Sequence, residues 1–237
     1  MIRRVRRLAR EGIANLRLSR TARDVRRENL TYLPPRKLLR IEKAIRDTAK
    51  ISGAILEFGV ALGGSGIILA KSGREYHGFD VFGMIPPPNP ENDAADAIGR
   101  FAVISGGQSL GLGGDAYYGY RTDLLSDVER SFARHQAPAF FHKGLFVETW
   151  PVARINRASL VHIDCDWHDP VAYCLEAVRD ILSPGGIIII DDYHDYEGAK
   201  IAVDAFLARN HQFSFRQGPN PLLVKELDLS PQGSSSS

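Results

Sequence analysis

Two strand-like runs of this chain end in paired carboxylates. The first is His162-Ile163-Asp164-Cys165-Asp166-Trp167, and the second is Ile187-Ile188-Ile189-Ile190-Asp191-Asp192-Tyr193. Open α/β sheets bind ligands at the carboxyl ends of their strands, and hard cations prefer carboxylate oxygens. Asp164, Asp191 and Asp192 would repel one another in a small space unless a cation or protons intervened. Mg²⁺ suits such an all-oxygen set. Asp166 shares a face with Asp164 only if the strand continues through it. His162 reads as a core strand residue, whereas His168 and His194 read as loop groups able to accept a proton.

Upstream, Glu57-Phe58-Gly59 closes an apolar run and Gly63-Gly64-Ser65 opens a helix. The spacing is not the G-x-G-x-x-G of dinucleotide sites, and no Gly-Lys-Ser/Thr follows to grip a polyphosphate. Asp80 ends the next strand, where an acid can accept hydrogen bonds from two ribose hydroxyls. A glycine turn, a ribose-type acid and no phosphate grip favour a nucleoside cofactor without pyrophosphate, of which S-adenosylmethionine is the commonest.

Alternating strands and helices must position these residues. The expected strands are 54–60, 76–82, 139–146, 160–164 and 187–190, with a closing pair at 213–215 and 222–225. Helices are expected over 36–50, 63–71, 122–135, 170–182 and 198–210, and Ser183-Pro184-Gly185-Gly186 reads as a turn. Such alternation argues a doubly wound α/β sheet of seven strands, mainly parallel, with an antiparallel edge. Three regions are expected: a basic helical segment over 1–50, a main domain over 51–228 and a disordered tail over 229–237. The Pro- and Gly-rich stretch 83–120 is too long for a simple connection and reads as a lid-like insert.

Charge is unevenly spread. Ten arginines face three acids within residues 1–30, although the whole chain is only +2. That segment reads as an amphipathic helix with Ile2, Val5, Leu8 and Ile13 as its apolar stripe, able to meet an anionic membrane surface. It lacks the apolar core of a signal peptide, and no run is long enough to span a bilayer. Cys165 and Cys174 match no disulfide framework or zinc signature, which points to a cytoplasmic setting with, at most, a peripheral membrane contact. Nucleic acid is not an expected partner; a homo-oligomer is compatible with the sequence.

Five segments in register resemble the TylF/MycF-type, macrocin O-methyltransferase-like enzymes. They are Glu57–Ser65, Gly78–Gly83, Lys143–Thr149, His162–Trp167 and Leu182–Tyr193. The resemblance implies a Rossmann-like class I methyltransferase, dependent on S-adenosylmethionine and Mg²⁺, that acts on a sugar hydroxyl. It implies that Glu57, Gly59 and Ser65 line the methionine part of the cofactor, in the turn that includes Val60. Asp80 would take the ribose, and Gly144 and Leu145 would lie near the adenine. Asp164, Asp191 and Asp192 would hold Mg²⁺, and Thr31-Tyr32-Leu33 would form a lid over the acceptor. Asp164, or alternatively His194 or His168, would remove the acceptor proton. The expected acceptor is a glycosylated natural product, a polysaccharide or a lipid-linked glycan. Two rivals stand beside this. Asp164-Cys165-Asp166 is also a D-x-D of the kind glycosyltransferases use to hold a metal, and a non-catalytic binding protein could keep the same fold.

Overall fold

The structure, a computed structural model, describes the backbone of residues 2–227 and the side chains of residues 10–227. The expected disordered tail and the side chains of Ile2, Val5 and Leu8 lie outside the described residues.

Seven strands form one sheet in the order β3-β2-β1-β4-β5-β7-β6. They are β1 Ala54–Phe58, β2 Tyr76–Asp80, β3 Phe140–Lys143, β4 Ala158–Ile163, β5 Leu182–Ile190, β6 Phe213–Arg216 and β7 Leu222–Lys225. The first five are parallel, and β7 runs antiparallel between β5 and β6. The order reverses between β1 and β4, so the switch point where such sheets take ligands lies at the ends of these two strands. Strands β1, β2 and β4 are buried along their whole length, as expected when helices cover both faces. Alternation along β1 sends Ile55 to one core layer and Leu56 and Phe58 to the other.

Nine helices accompany the sheet among the described residues: α1 Ile2–Arg17, α2 Arg20–Arg27, α3 Pro35–Asp47, α4 Gly64–Ala70, α5 Ala95–Ser105, α6 Leu124–Arg134, α7 Phe146–Ala153, α8 His168–Arg179 and α9 Glu197–Arg209. The basic start is two helices rather than one. Ser19 breaks it, because its Oγ accepts the Ala22 N–H at 3.1 Å and so caps α2. The buried stripe here is Ala14, Leu18, Ala22 and Val25, while Ile13 is 60% exposed. This segment is welded to the domain: Leu18, Val25, Leu38 and Ile41 join one core layer, and the Leu30 carbonyl accepts the Gly64 N–H at 2.9 Å.

Three further expectations change. Ser183–Gly186 is not a turn but the irregular first half of β5, and a register shift between Ala158 and Leu160 absorbs it. Residues 144–146 do not extend β3, since Phe146 begins α7, which sequence periodicity did not suggest. The 83–120 stretch holds α5 and two 3-10 turns, Leu112–Gly114 and Tyr118–Tyr120. It is pinned at the start of α8, where Asp93 accepts the His168 N–H at 2.9 Å and Trp167 Nε1 donates to the Pro86 carbonyl at 3.0 Å.

Candidate active site

The donor end is built around the turn after β1. Asp80, buried at the end of β2, accepts three backbone N–H groups: Val60 at 2.8 Å and Ala61 at 2.9 Å on Oδ2, and Phe82 at 2.6 Å on Oδ1. These bonds hold Ala61 and Phe82 at φ 49° and 47°, a conformation costing about 1–3 kcal/mol per residue. Burial raises the Asp80 carboxyl above its usual range despite the three amides. A carboxylate offers about four acceptor sites, so one remains, on Oδ1, where the sequence suggested two for ribose. Gly59 has φ 92°, and a Cβ there would lie 1.7 Å from the Asp164 carbonyl oxygen. Only glycine lets the ends of β1 and β4 meet this closely.

A cavity of about 290 Å³ opens here, lined by Gly59, Asp80, Leu145, Asp164, Asp166 and Trp167 among others. Val60 and Gly144 do not line it; each is tied to Asp80 by its backbone N–H, Val60 to Oδ2 and Gly144 to the carbonyl at 3.0 Å. Ser65 is buried on α4 and does not line it. Glu57 does not reach it either. It is 0% exposed, and Oε1 lies 2.9 Å from His162 Nδ1 while Oε2 accepts the Tyr76 hydroxyl. Alternation explains the difference from expectation, because Glu57 points to the same face of β1 as Ile55. Gly66 roofs this group; a Cβ there would lie 2.6 Å from Glu57 Oε2.

At the acid end the hydrogen-bond ladder continues one residue past each strand. Asp164 N–H donates to Phe58 and Asp191 N–H to Ile163, each at 2.9 Å, so the two acids emerge at the same level. Asp191 is 3% exposed and Asp192 is also buried, whereas Asp164 is half-buried and faces the cavity. Lys37 Nζ lies 2.7 Å from Asp191 Oδ2 and 2.7 Å from Asp195 Oδ2, and donates to the Asp191 carbonyl at 3.1 Å. Burial would lower the Lys37 pKa, but the neighbouring carboxylates outweigh it and raise it. The other Asp191 oxygen, Oδ1, is buried with no partner among the described residues.

Ligand atoms of His162, Asp164 and Asp191 lie within 4.8 Å of one another, as do those of Asp191, Asp192 and Asp195. The three expected ligands thus fall into two triads that share Asp191. Burial, then the neighbouring Asp191 and Asp192, push the Asp164 carboxyl well above its ordinary value; burial, then Asp166 and Asp191, do the same to Asp192. Asp166 sits past the strand end at φ 62°, yet it returns to the cavity wall, and its N–H donates to Asp192 Oδ2 at 3.0 Å. Burial and Asp191 raise its carboxyl to about 6. Hard oxygen donors, one orphaned carboxylate oxygen and mutual repulsion fit a small divalent cation.

The two histidines lie elsewhere. His194 is exposed, with Nε2 3.1 Å from the Gly218 carbonyl, and His168 Nδ1 lies 2.7 Å from Asp169. Neither lines the cavity. Sequence reasoning missed Lys37, Asp195 and the approach of His162 to the acids. A single lysine in a basic helix carries no signal, but His162 stands two residues before Asp164 on one strand, and this parity could have flagged it. Tyr118 lines the main cavity and also a smaller one of about 140 Å³ that it shares with Tyr32. The two rings are 6.0 Å apart.

The model of the macrocin-O-methyltransferase (TylF) family matches residues 3–214. A Streptomyces olivaceus enzyme, 8-demethyl-8-(2,3-dimethoxy-alpha-L-rhamnosyl)-tetracenomycin-C 4'-O-methyltransferase, is 29% identical over 62% of this chain. Mycinamicin III 3''-O-methyltransferase from Micromonospora griseorubida is 30% identical over 65% of it. The match spans 59% of the length of each relative. Among solved structures, the O-methyltransferase NovP superposes with a TM-score of 0.68 at 20% identity, over 83% of this chain and 82% of its own. The calicheamicin methyltransferase CalS11 gives 0.63 at 20%, over 79% and 77%. These two likenesses show the fold, that of Rossmann-like O-methyltransferases. The family match covers most of the sequence: the chain belongs to the macrocin-O-methyltransferase (TylF) family.

Proposed function

We propose that this chain transfers a methyl group from S-adenosylmethionine to a sugar hydroxyl of a glycosylated natural product, a polysaccharide or a lipid-linked glycan. One observation carries this. The Gly59 turn, Asp80 and Asp164 all line one cavity, so a methyl donor and an acidic acceptor site would share one space. The relatives named for a rhamnosyl tetracenomycin and for mycinamicin III support a sugar-bearing acceptor. The family match favours methyl over glycosyl transfer from the Asp164-Cys165-Asp166 motif.

Asp80 offers its remaining acceptor site to a ribose hydroxyl, and Leu145 provides apolar cover for the adenine. Asp164, Asp191 and Asp192 would hold Mg²⁺, which supplies a Lewis acid beside the acceptor hydroxyl. Asp164 faces the cavity and takes the hydroxyl proton as the oxygen–methyl bond forms and the sulfur–methyl bond breaks. The products are a methyl ether and a neutral thioether. Lys37 keeps Asp191 oriented, and Tyr32 and Tyr118 exclude water. Alignment of oxygen, methyl carbon and sulfur is the main source of rate, worth several powers of ten. The setting is cytoplasmic, and the Arg-rich start lets the enzyme work beside an anionic membrane surface.

The test is a methyl-transfer screen over free and nucleotide-linked deoxysugars, with and without Mg²⁺. Calorimetry with S-adenosylmethionine and with UDP-sugars runs beside it. Methyl transfer that EDTA abolishes is the expected result. Full activity in a metal-free preparation removes the metal role, and binding of UDP-sugars without S-adenosylmethionine restores the glycosyltransferase reading.

A further inference from the structure

Helices α1 and α3 pack together but leave a groove of about 340 Å³ between them. Five cations line it: Arg10 and Arg17 of α1, and Arg36, Arg40 and Lys43 of α3. Of the nearby acids among the described residues only Asp47 neutralises a groove cation, Lys43, and the others accept backbone N–H groups. Glu11 accepts the Arg36 backbone N–H at 3.2 Å, and buried Glu42 accepts the Ser19 N–H at 3.1 Å. Asp47 pairs with Lys43. Among the described residues, Arg10, Arg17, Arg36 and Arg40 form no salt bridge. Arg40 Nη2 is held by the Arg216 and Gln217 carbonyls at 2.8 and 3.0 Å, which fixes the guanidinium without neutralising it, and its Nε is buried with no partner.

Two exposed apolar side chains of α1 accompany these charges, Ile13 in the groove lining and Leu16 one turn further along, next to Arg17. Ile13 is 60% exposed and Leu16 is 81% exposed. Arg10, Ile13 and Arg17 follow the three- and four-residue spacing of one helix face. Free cations flanking exposed aliphatic residues make up a helix that lies in a membrane interface. Arginine stems lie along the apolar boundary while their heads stay at the phosphates. A nucleic acid or acidic peptide would use the cations but has no need of Ile13 and Leu16.

We infer that this α1–α3 face docks on an anionic phospholipid surface, with the groove arginines on headgroup phosphates and Ile13 and Leu16 in the acyl boundary. This gives the proposed membrane contact a defined surface and needs nothing of the catalytic reading.

Flotation of the full chain with vesicles tests it. Phosphatidylcholine alone is compared with equal parts of phosphatidylcholine and phosphatidylglycerol, at low and high salt. Binding to the mixed vesicles only, weakening as salt rises, is expected. Each surface cation adds about fivefold to partitioning, so Arg10→Gln with Arg17→Gln lowers it by on the order of twentyfold. Arg10→Lys with Arg17→Lys preserves it, and Ile13→Ser with Leu16→Ser weakens it at constant charge. Circular dichroism confirms that each variant is folded. Equal binding to both vesicles, undiminished binding by the glutamine variant, or retention on heparin without vesicle binding overturns the inference. Flotation reads no methyl transfer, so its failure would leave the catalytic proposal standing.

Discussion

Two groups of buried acid share one sheet, two residues apart along β4, and they are built in opposite ways. Around His162, Glu57 has both oxygens matched, one by His162 and one by Tyr76, and is sealed from solvent; the one atom left without a partner there, among the described residues, is His162 Nε2 on the side of the ring away from Glu57. Around Asp164, the carboxylates crowd one another, Asp191 keeps an oxygen without a partner, and one side opens on a cavity. A satisfied polar group supports a fold, and an unsatisfied one needs an explanation. The first group holds β1, β2 and β4 together. The second leaves one Asp191 oxygen without a partner and Asp164 facing the cavity, which is what the proposed cation site would use.

Breaking each group should therefore give different losses. The largest effect is expected from Asp191→Ala, which removes the residue shared by both triads. Methyl transfer should fall by about 10³-fold or more, with only a small change in melting temperature, because Lys37 keeps Asp195 as a partner and Asp164 and Asp192 lose a repelling neighbour. A large fall in melting temperature instead would make the acid cluster structural and erase the contrast. Glu57→Ala should do the reverse. It strands a buried histidine and a buried hydroxyl, costing about 3–5 kcal/mol, or a drop of about 10 °C in a chain of this size. Affinity for S-adenosylmethionine, measured by calorimetry below the transition, should hardly change.

Lys37→Met sharpens the comparison at the acid cluster itself. The metal-free protein should lose about 2 kcal/mol, because Asp191 is left buried without its cation. Added Mg²⁺ should then raise the melting temperature more than it does for wild type. An equal shift in both proteins would separate Lys37 from the metal site. Gly66→Ala probes the sealed group with one methyl and should cost about 1–3 kcal/mol through overpacking, read by thermal melts. His194→Ala should change activity by less than about twofold, since its ring turns to Gly218; a large loss would make it part of the site.

Much of the fold was legible because the strands are short apolar runs separated by helical spacing. All seven were anticipated, and the closing strand at 222–225 matches residue for residue. The misses share a cause, which is that local cues yielded to tertiary packing. Pro184-Gly185-Gly186 reads as a turn, yet pairing with β4 draws it into β5. Pro151 disguises α7. At the site, Gly59, Asp80 and Asp164 were legible as residues at strand ends, and Leu145 only through the family resemblance. Glu57 was assigned by its neighbour Gly59, although alternation turns it inward. Lys37 comes from 154 positions away in sequence to reach Asp191, and no local pattern announces such a partner.

The contact of Gly59 with the Asp164 carbonyl has an evolutionary consequence. The reach between the proposed methyl-donor turn and the acid is written in main chain, so drift in surrounding side chains cannot lengthen or shorten it. Diversification is left to the parts that wrap the opening, chiefly residues 83–120 and the aromatic residues around Tyr32. An engineer seeking a new acceptor for the proposed reaction can vary those walls where they do not anchor α8, but must leave position 59 as it stands.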